Sequence, residues 1–276
     1  MIVFLHIQKC AGNALLDLLQ AHIPPRRCLK AHLLHPGAPE LRKPVSAYGL
    51  IAGHNTYEDI QALGVENPQW ITLLRDPVAR VVSLYDFWRS HHPDYLEAHD
   101  LKGPRLARAM DLADFLDCED PVVRTNVCNG QAGQFLNGLR EEVKLPEDVF
   151  LEKVTGRLEG FAWVGVVEAF DDSLEVLCAR MGWRVPDRSR QVNVSQVNMC
   201  TDPRYVPVDR TTLNSELKAR ILRMNRVDAQ IHAYAKQRIR KERKSLIETP
   251  GETQPRIPPR LAWRMRRWVS DAVGKK

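Results

Sequence analysis

The sequence predicts an α/β fold with a central parallel sheet, and three stretches carry the prediction. In residues 2–19, 70–88 and 164–182 a short apolar run ends in a polar turn and then gives way to a helical pattern. Repeated strand, turn and helix units of this kind belong to sheets whose crossovers are helices.

The first unit begins with the apolar run of residues 2–7, where Val, Phe and Ile supply strand character. It breaks at Gln8-Lys9-Cys10-Ala11-Gly12-Asn13 and resumes from Ala14 with Leu15, Leu16, Leu18 and Leu19, a helix apolar on nearly every face and therefore expected to be buried. A loop of small residues with one Lys and one Gly, leading into a helix, can aim backbone N–H groups at an anion while the ammonium adds a point charge. It is not a Walker A loop, because the Lys precedes the Gly and no Lys-Ser/Thr pair follows.

A loop-rich segment then runs to about residue 44. His32 and His35 stand three apart in it, but Pro36 and Gly37 follow at once and no third ligand is apparent, so both read as solvated loop histidines. A short strand ends at Gly53-His54, where the Gly allows a sharp turn and leaves an imidazole at a strand end. That position suits a base or a turn histidine bonded to a loop carbonyl.

In the second unit the strand Trp70-Ile71-Thr72-Leu73-Leu74 precedes Arg75-Asp76-Pro77. Val78, Val81, Val82, Tyr85 and Trp88 then mark an amphipathic helix, with Asp76 as its N-cap and Pro77 at its first position. Arg75 falls at the strand end and Ser83 about two turns into the helix, so a guanidinium fork and a hydroxyl can form a second phosphate site, unless Arg75 merely ties the strand end to a carboxylate. In the third unit Asp171 or Asp172 is placed to cap a helix lined by Leu174, Leu177, Cys178 and Met181 and ended by Gly182, while Glu168 reads as a surface carboxylate at a strand end, the alternative being a second polar group near the site. Residues 212–244 read as one long helix with Leu217, Ile221, Met224, Val227, Ile231 and Tyr234 on one face.

With 276 residues the chain can bury a sizeable core, expected as one domain over residues 1–247 followed by a Pro-rich linker and basic amphipathic tail over 248–276. The net charge of +6 is concentrated: residues 236–276 hold thirteen Lys/Arg against four Asp/Glu, which leaves the first 235 at about −3. Nothing resembles a nucleic-acid-binding signature, so no nucleic-acid partner is expected. Without a spanning-length apolar run or a cleavable leader the expectation is a cytoplasmic protein, and the six cysteines, at 10, 28, 118, 128, 178 and 200, read as free thiols. In the tail, Arg260, Arg264, Arg266 and Arg267 interleave with Leu261, Trp263, Met265 and Trp268; a helix there would suit the inner face of an anionic membrane, the bland alternative being a mobile basic tail.

Taken together, the Lys-and-Gly loop, the Gly53-His54 strand end and Arg75-Asp76-Pro77 with Ser83 resemble the sulfotransferases that use 3′-phosphoadenosine 5′-phosphosulfate (PAPS). The likeness is greatest to the carbohydrate branch that includes heparan sulfate 2-O-sulfotransferase and its bacterial relatives. Where that family's first loop usually reads Pro-Lys-Thr-Gly-Gly-Thr-Thr/Ser, this chain has Gln8 through Asn13 and Ala14: Lys9 and Gly12 are kept, and the hydroxyls at Asn13 and Ala14 are not. Weaker likeness continues through Arg124-Thr125-Asn126, Asn137-Gly138, the 164–170 stretch, a polar loop with Arg188, Ser189 and Arg190, and Asn225 with Asp228. Asn193-Val194-Ser195 is a glycosylation triplet without meaning in an unsecreted chain.

The resemblance implies a P-loop-like three-layer sandwich with a central parallel sheet. It implies PAPS as donor and the bisphosphate nucleotide PAP as product, no metal, and a hydroxyl-bearing acceptor such as a glycan or glycolipid. By the same resemblance Lys9, Cys10, Ala11, Gly12, Asn13 and Ala14 hold the 5′-phosphosulfate, Arg75 and Ser83 hold the 3′-phosphate, and His54 and Lys9 are catalytic. The alternatives are a nucleotide-dependent kinase on the same fold and a non-catalytic, membrane-peripheral protein that keeps the fold. The loops at 91–110 and 124–140, expected to line the acceptor cleft, have no assignable structure in the sequence.

Overall fold

A computed structural model describes residues 1–32, 34–137, 145–185 and 202–248. Its centre is a five-stranded, wholly parallel sheet of β1 (Ile2–Leu5), β2 (Cys28–Lys30), β3 (Leu50–Gly53), β4 (Gln69–Leu74) and β5 (Trp163–Val166) in the order β2-β3-β1-β4-β5. Every residue of β1, β3 and β5 is buried, as are all but the first of β4, so helices cover both faces. The α/β class and the parallel sheet therefore stand, in an arrangement consistent with three layers.

The pairing register brings the strand ends level. Leu5 of β1 pairs with Gly53 of β3 on one side and Thr72 of β4 on the other, while Leu74 of β4 pairs with Val166 of β5. The C-terminal ends of four strands thus form one edge. From β1 the chain goes out to β2, returns to β3, and crosses to β4 on the other flank, so the order reverses between the loops that follow β1 and β4. That reversal is where open α/β sheets offer a crevice.

The first helix, α1 (Gly12–His22), buries Gly12, Leu15, Leu18 and Leu19 and exposes Asn13 and Asp17. It is amphipathic rather than buried all round, because i, i+3, i+4 spacing places these side chains on one stripe. A five-residue α2 (Tyr57–Gln61) opens with a capping box between Thr56 and Asp59. The expected cap of α3 (Pro77–Arg89) is present: the Asp76 carboxylate accepts the Ala79 N–H at 2.9 Å, and Pro77 opens the helix.

Where the sequence offered only loops, the chain forms α4 (Pro93–Ala98), α5 (Lys102–Ala109), α6 (Leu112–Asp117), α7 (Pro121–Val127) and α8 (Gly130–Gln134). The apolar side of α3, through Val81, Leu84, Tyr85 and Trp88, packs into a second core with Ala107, Phe115, Val123 and Val127 from these helices. A fully buried side chain of this size contributes about 1.5–3 kcal/mol, which fixes segments too short to be helical alone. Then come α9 (Glu147–Glu159) and α10 (Phe170–Met181).

Two helix expectations are corrected. The helix α10 begins at Phe170 with no side-chain cap, so neither Asp171 nor Asp172 caps it; Gly182 does end it, in the left-handed conformation. The long C-terminal helix is two, α11 (Ser215–Met224) and α12 (Arg226–Glu248), because Asn225 leaves helical geometry and its side chain bonds elsewhere. Cys10, Cys28, Cys118, Cys128 and Cys178 are free thiols. Among the described residues no helix is long and apolar enough to cross a membrane. The 188–190 loop, the 193–195 triplet, Gly138, Cys200 and the tail beyond Glu248 lie outside the described residues.

Candidate functional site

The loop after β1 folds back on itself with two non-glycine residues in the left-handed region, Lys9 at φ 65° and Ala11 at φ 53°. Each such residue costs about 1–2 kcal/mol, and turns that alternate into the left-handed region can aim successive backbone N–H groups at one anion. Among the described residues the amides of Lys9, Ala11, Gly12 and Asn13 find no acceptor, while that of Ala14 is taken by the Ala11 carbonyl at 3.1 Å. Ala14 thus brings neither a hydroxyl nor a free amide. Cys10 turns inward: its buried thiol donates to the Gln131 side-chain oxygen at 3.3 Å, and burial pushes it up to about 12, so it is an inert structural group.

The second predicted phosphate residue lies against the first loop. The Arg75 guanidinium donates to the Lys9 carbonyl at 3.0 Å. Among the described residues no carboxylate pairs with Arg75, contrary to the bland reading of a strand-end ion pair. The Lys9 ammonium sits 4.0 Å from the centroid of the Phe87 ring. Phe87 is one turn beyond Ser83 on α3, so Ser83 shares the helix face above which the ammonium lies. Burial, reinforced by the neighbouring Arg75, lowers Lys9 to about 8, with Cys10 and Asp86 opposing. Two cations side by side, one partly desolvated, lie next to unpaired amides, an arrangement in which an anion would be favoured.

At the end of β3, Gly53 serves packing: a Cβ there would fall 1.7 Å from the Ala31 carbonyl oxygen. His54 then turns back so that its Nδ1 lies 2.6 Å from the His6 carbonyl. The carbonyl can only accept, so Nδ1 carries the proton and Nε2 keeps its lone pair. Burial, assisted by His32 and Lys9, takes the imidazole down to about 4 against the raising effect of that hydrogen bond. His54 is therefore a free base throughout the neutral range.

His32 is exposed but not merely solvated. Its Nδ1 accepts the His54 backbone N–H at 2.9 Å, and its ring stacks on that of His54 with centroids 4.8 Å apart. On the other side His6 approaches to 4.3 Å. The His6 ring lies where a side chain on residue 12 would be, 1.9 Å from a Cβ at Gly12, so this glycine is required by the histidine rather than by the turn. His35 is exposed and reaches only the Pro36 carbonyl, and among the described residues no cluster of ligands could hold a metal.

Gln131, Asn129 and Arg80 help to hold the site and were not singled out in the sequence. The side-chain amide of Gln131, on α8, accepts the Arg75 N–H and donates to the Arg75 carbonyl, both at 2.9 Å, and so clamps the β4 turn to the first loop through Cys10. Asp228 in turn accepts the amides of Gln131 and Ala132 at 3.1 and 2.8 Å, capping α8. Asn129 and Asn225 cap each other's helices, the Asn225 side-chain oxygen accepting the Asn129 N–H and the Asn129 side-chain oxygen accepting the N–H groups of Val227 and Asp228. Arg80 is fully buried, donates to the Asn126 carbonyl and interacts with Asp228. The sequence signal was there for Asp228, noted with Asn225; for Gln131 and Arg80 only the fold reveals the partner. Glu168, expected as a bare surface carboxylate, accepts the Asp76 N–H and pairs with His232 at 2.9 Å, tying the ends of β4 and β5 to α12.

The structure thus gathers Lys9, Arg75 and the free amides of residues 9 and 11–13 at one end of the crevice, with Ser83 on the adjoining helix face and His54 a strand away. No family model matches the chain, and no curated protein matches it.

Proposed function

We propose that this chain is a P-loop-like sulfotransferase that moves a sulfuryl group from PAPS to a hydroxyl of an acceptor. The observation that carries the reading is the pairing of Lys9 and Arg75, without an anionic partner among the described residues, beside the free N–H groups that open α1. A donor with phosphates at both the 5′ and 3′ positions answers that arrangement. The 5′-phosphosulfate lies on the amides of residues 9 and 11–13, and the 3′-phosphate is taken by Arg75 and Ser83.

In the reaction the acceptor oxygen attacks sulfur in line as the bond from sulfur to the bridging phosphate oxygen breaks. The hydroxyl proton passes to His54 Nε2, and the growing charge on the bridging oxygen is met by the Lys9 ammonium. PAP leaves with that charge, and His54 returns its proton to solvent. The work is assigned to the cytoplasm, and the basic, tryptophan-bearing 260–269 segment supports a version that rests on the inner face of a membrane.

Thermal-shift and calorimetric titrations with PAP, PAPS and ATP test this. PAP is expected to stabilise the protein and ATP not; stabilisation by ATP alone would favour a kinase. The Arg75→Ala variant should bind PAP roughly 10- to 100-fold more weakly, as loss of a charged hydrogen-bond donor predicts. His54→Ala should keep PAP binding and lose transfer by about 10²- to 10⁴-fold. Unimpaired transfer by that variant removes His54 from the base role.

A further inference from the structure

The segment that follows β2 is fastened along the end of β3. The Ala31 N–H donates to the Ala52 carbonyl at 3.1 Å, and the buried Asn55 side chain accepts the Leu34 N–H at 2.8 Å while donating to the Ala31 carbonyl at 2.9 Å. On the side of the segment all three bonds use backbone groups of residues 31 and 34, so they hold whatever side chain stands at 32. The fourth bond is different. His32 Nδ1 accepts the His54 backbone N–H at 2.9 Å, and only the side chain at 32 can make it.

An exposed histidine is thus bonded to the main chain of a half-buried one, and its ring stacks on the same residue at 4.8 Å and 11°. Because Nδ1 accepts, the neutral His32 ring carries its proton on Nε2. His54 is held at two points: its ring edge by the His6 carbonyl, 2.6 Å from Nδ1, and its backbone by His32. Neither hold engages Nε2, the nitrogen that must face an acceptor hydroxyl. Orientation of this kind matters to rate, since a misplacement of about 1 Å can cost about 10²-fold.

We infer that His32 is a positioning residue for His54, orienting the base through its backbone N–H and shielding one face of its imidazole from water. The inference rests on the sulfotransferase reading only in calling His54 a base. The groups that bear on the charge of His54 are His6, His32 and Lys9, and Asp59, which lines the same cleft, is spent on the Thr56 N–H that opens α2. Removing the His32 ring readmits water to the imidazole and takes away one group that opposes its charge. Both changes raise the pH at which His54 takes up a proton.

Variants of the full-length protein separate the two contributions. His32→Asn offers an amide oxygen in place of Nδ1 and keeps the bond without the ring, His32→Phe keeps the ring without the acceptor, and His32→Ala has neither. All should fold, since the side chain is exposed and Asn55 still anchors the segment. Long-range proton–nitrogen correlation spectra of histidine-labelled wild type at neutral pH are expected to show His32 protonated on Nε2 and His54 on Nδ1. The His54 signal should stay that of the neutral ring down to about pH 5 in wild type and His32→Phe, and titrate about one unit higher in His32→Asn and His32→Ala. In transfer assays kcat should fall about 10- to 100-fold in His32→Ala and His32→Phe and stay within about threefold of wild type in His32→Asn, with PAP affinity unchanged throughout. His32 protonated on Nδ1, an unmoved His54 titration in His32→Ala, or equal kcat in His32→Asn and His32→Ala overturns the inference. Wild type that gives the expected spectra but neither binds PAP nor transfers removes the sulfotransferase reading and leaves the coupling of the two histidines standing.

Discussion

At the scale of single residues, the site is held together by groups kept away from their preferred protonation. Lys9 loses its charge on the way through about pH 8, and His54 gains one only near about pH 4. Since kcat/KM reports the free enzyme, its pH profile should be a broad plateau with an acid limb near about 4 and an alkaline limb near about 8. An acid limb near the ordinary histidine value would show that His54 is not the group being titrated. Lys9 also sets function against stability. Below about pH 8 its ammonium is held partly desolvated beside Arg75, so the folded state bears a cost that the unfolded chain does not. Lys9→Met should therefore raise stability by about 1 kcal/mol while weakening PAP binding, as read from urea midpoints and calorimetry; a destabilised variant would mean that the Phe87 contact outweighs desolvation. Lys9, Arg75 and His54 could be picked out in the sequence because each stands at the abrupt end of an apolar run. Gln131 could not, because its partners are the backbone of Arg75 and the thiol of Cys10, more than fifty residues away, and backbone leaves no mark in a sequence.

At the scale of elements, α8 is the hinge pin between core and site, though it is only five residues long. Its N-terminal amides are satisfied by Asp228, and its Gln131 reaches forward to the β4 turn. Asp228→Ala removes two hydrogen bonds to a carboxylate and leaves Arg80 without its charge partner. A loss of about 3 kcal/mol in stability is expected, with weaker PAP binding as a consequence, measured by denaturant midpoint and titration on the same preparation. A variant that loses stability but binds PAP as wild type does would separate α8 from the donor site. The strand, turn and helix units were legible because each spans several turns of period. The helices α4 to α8 were not, since five to eight residues hold too little periodicity to separate from chance. Their caps were nonetheless written in the chain: His92-Pro93 and Asp120-Pro121 place a capping side chain before a proline at the first helical position. The break at Asn225 escaped for the opposite reason, a continuous apolar stripe that conceals a residue whose side chain serves another helix.

At the scale of the whole molecule, a buried imidazole, His6, and a partly buried one, His54, make stability depend on acidity. Burial, with the other histidines adding to it, takes His6 from 6.5 down to about 3, and His54 falls to about 4. As pH drops below 6.5 the unfolded chain takes up these protons first, so stability falls steadily toward about pH 3–4, while above 6.5 the pair contributes no slope. A urea midpoint markedly lower at about pH 4.5 than at about pH 7 is expected, and equal midpoints would show that both rings titrate normally. The short β2 has a different consequence. It offers only three residues at one margin of the sheet, entered from Pro24 and Pro25 through a tight turn and ending in the exposed Lys30. An incoming strand from another copy would find few open N–H and C=O groups there, and a lysine among them. That margin of the sheet is thus a poor template for strand-by-strand growth, and self-association at high concentration should not proceed by extending the ladder at β2.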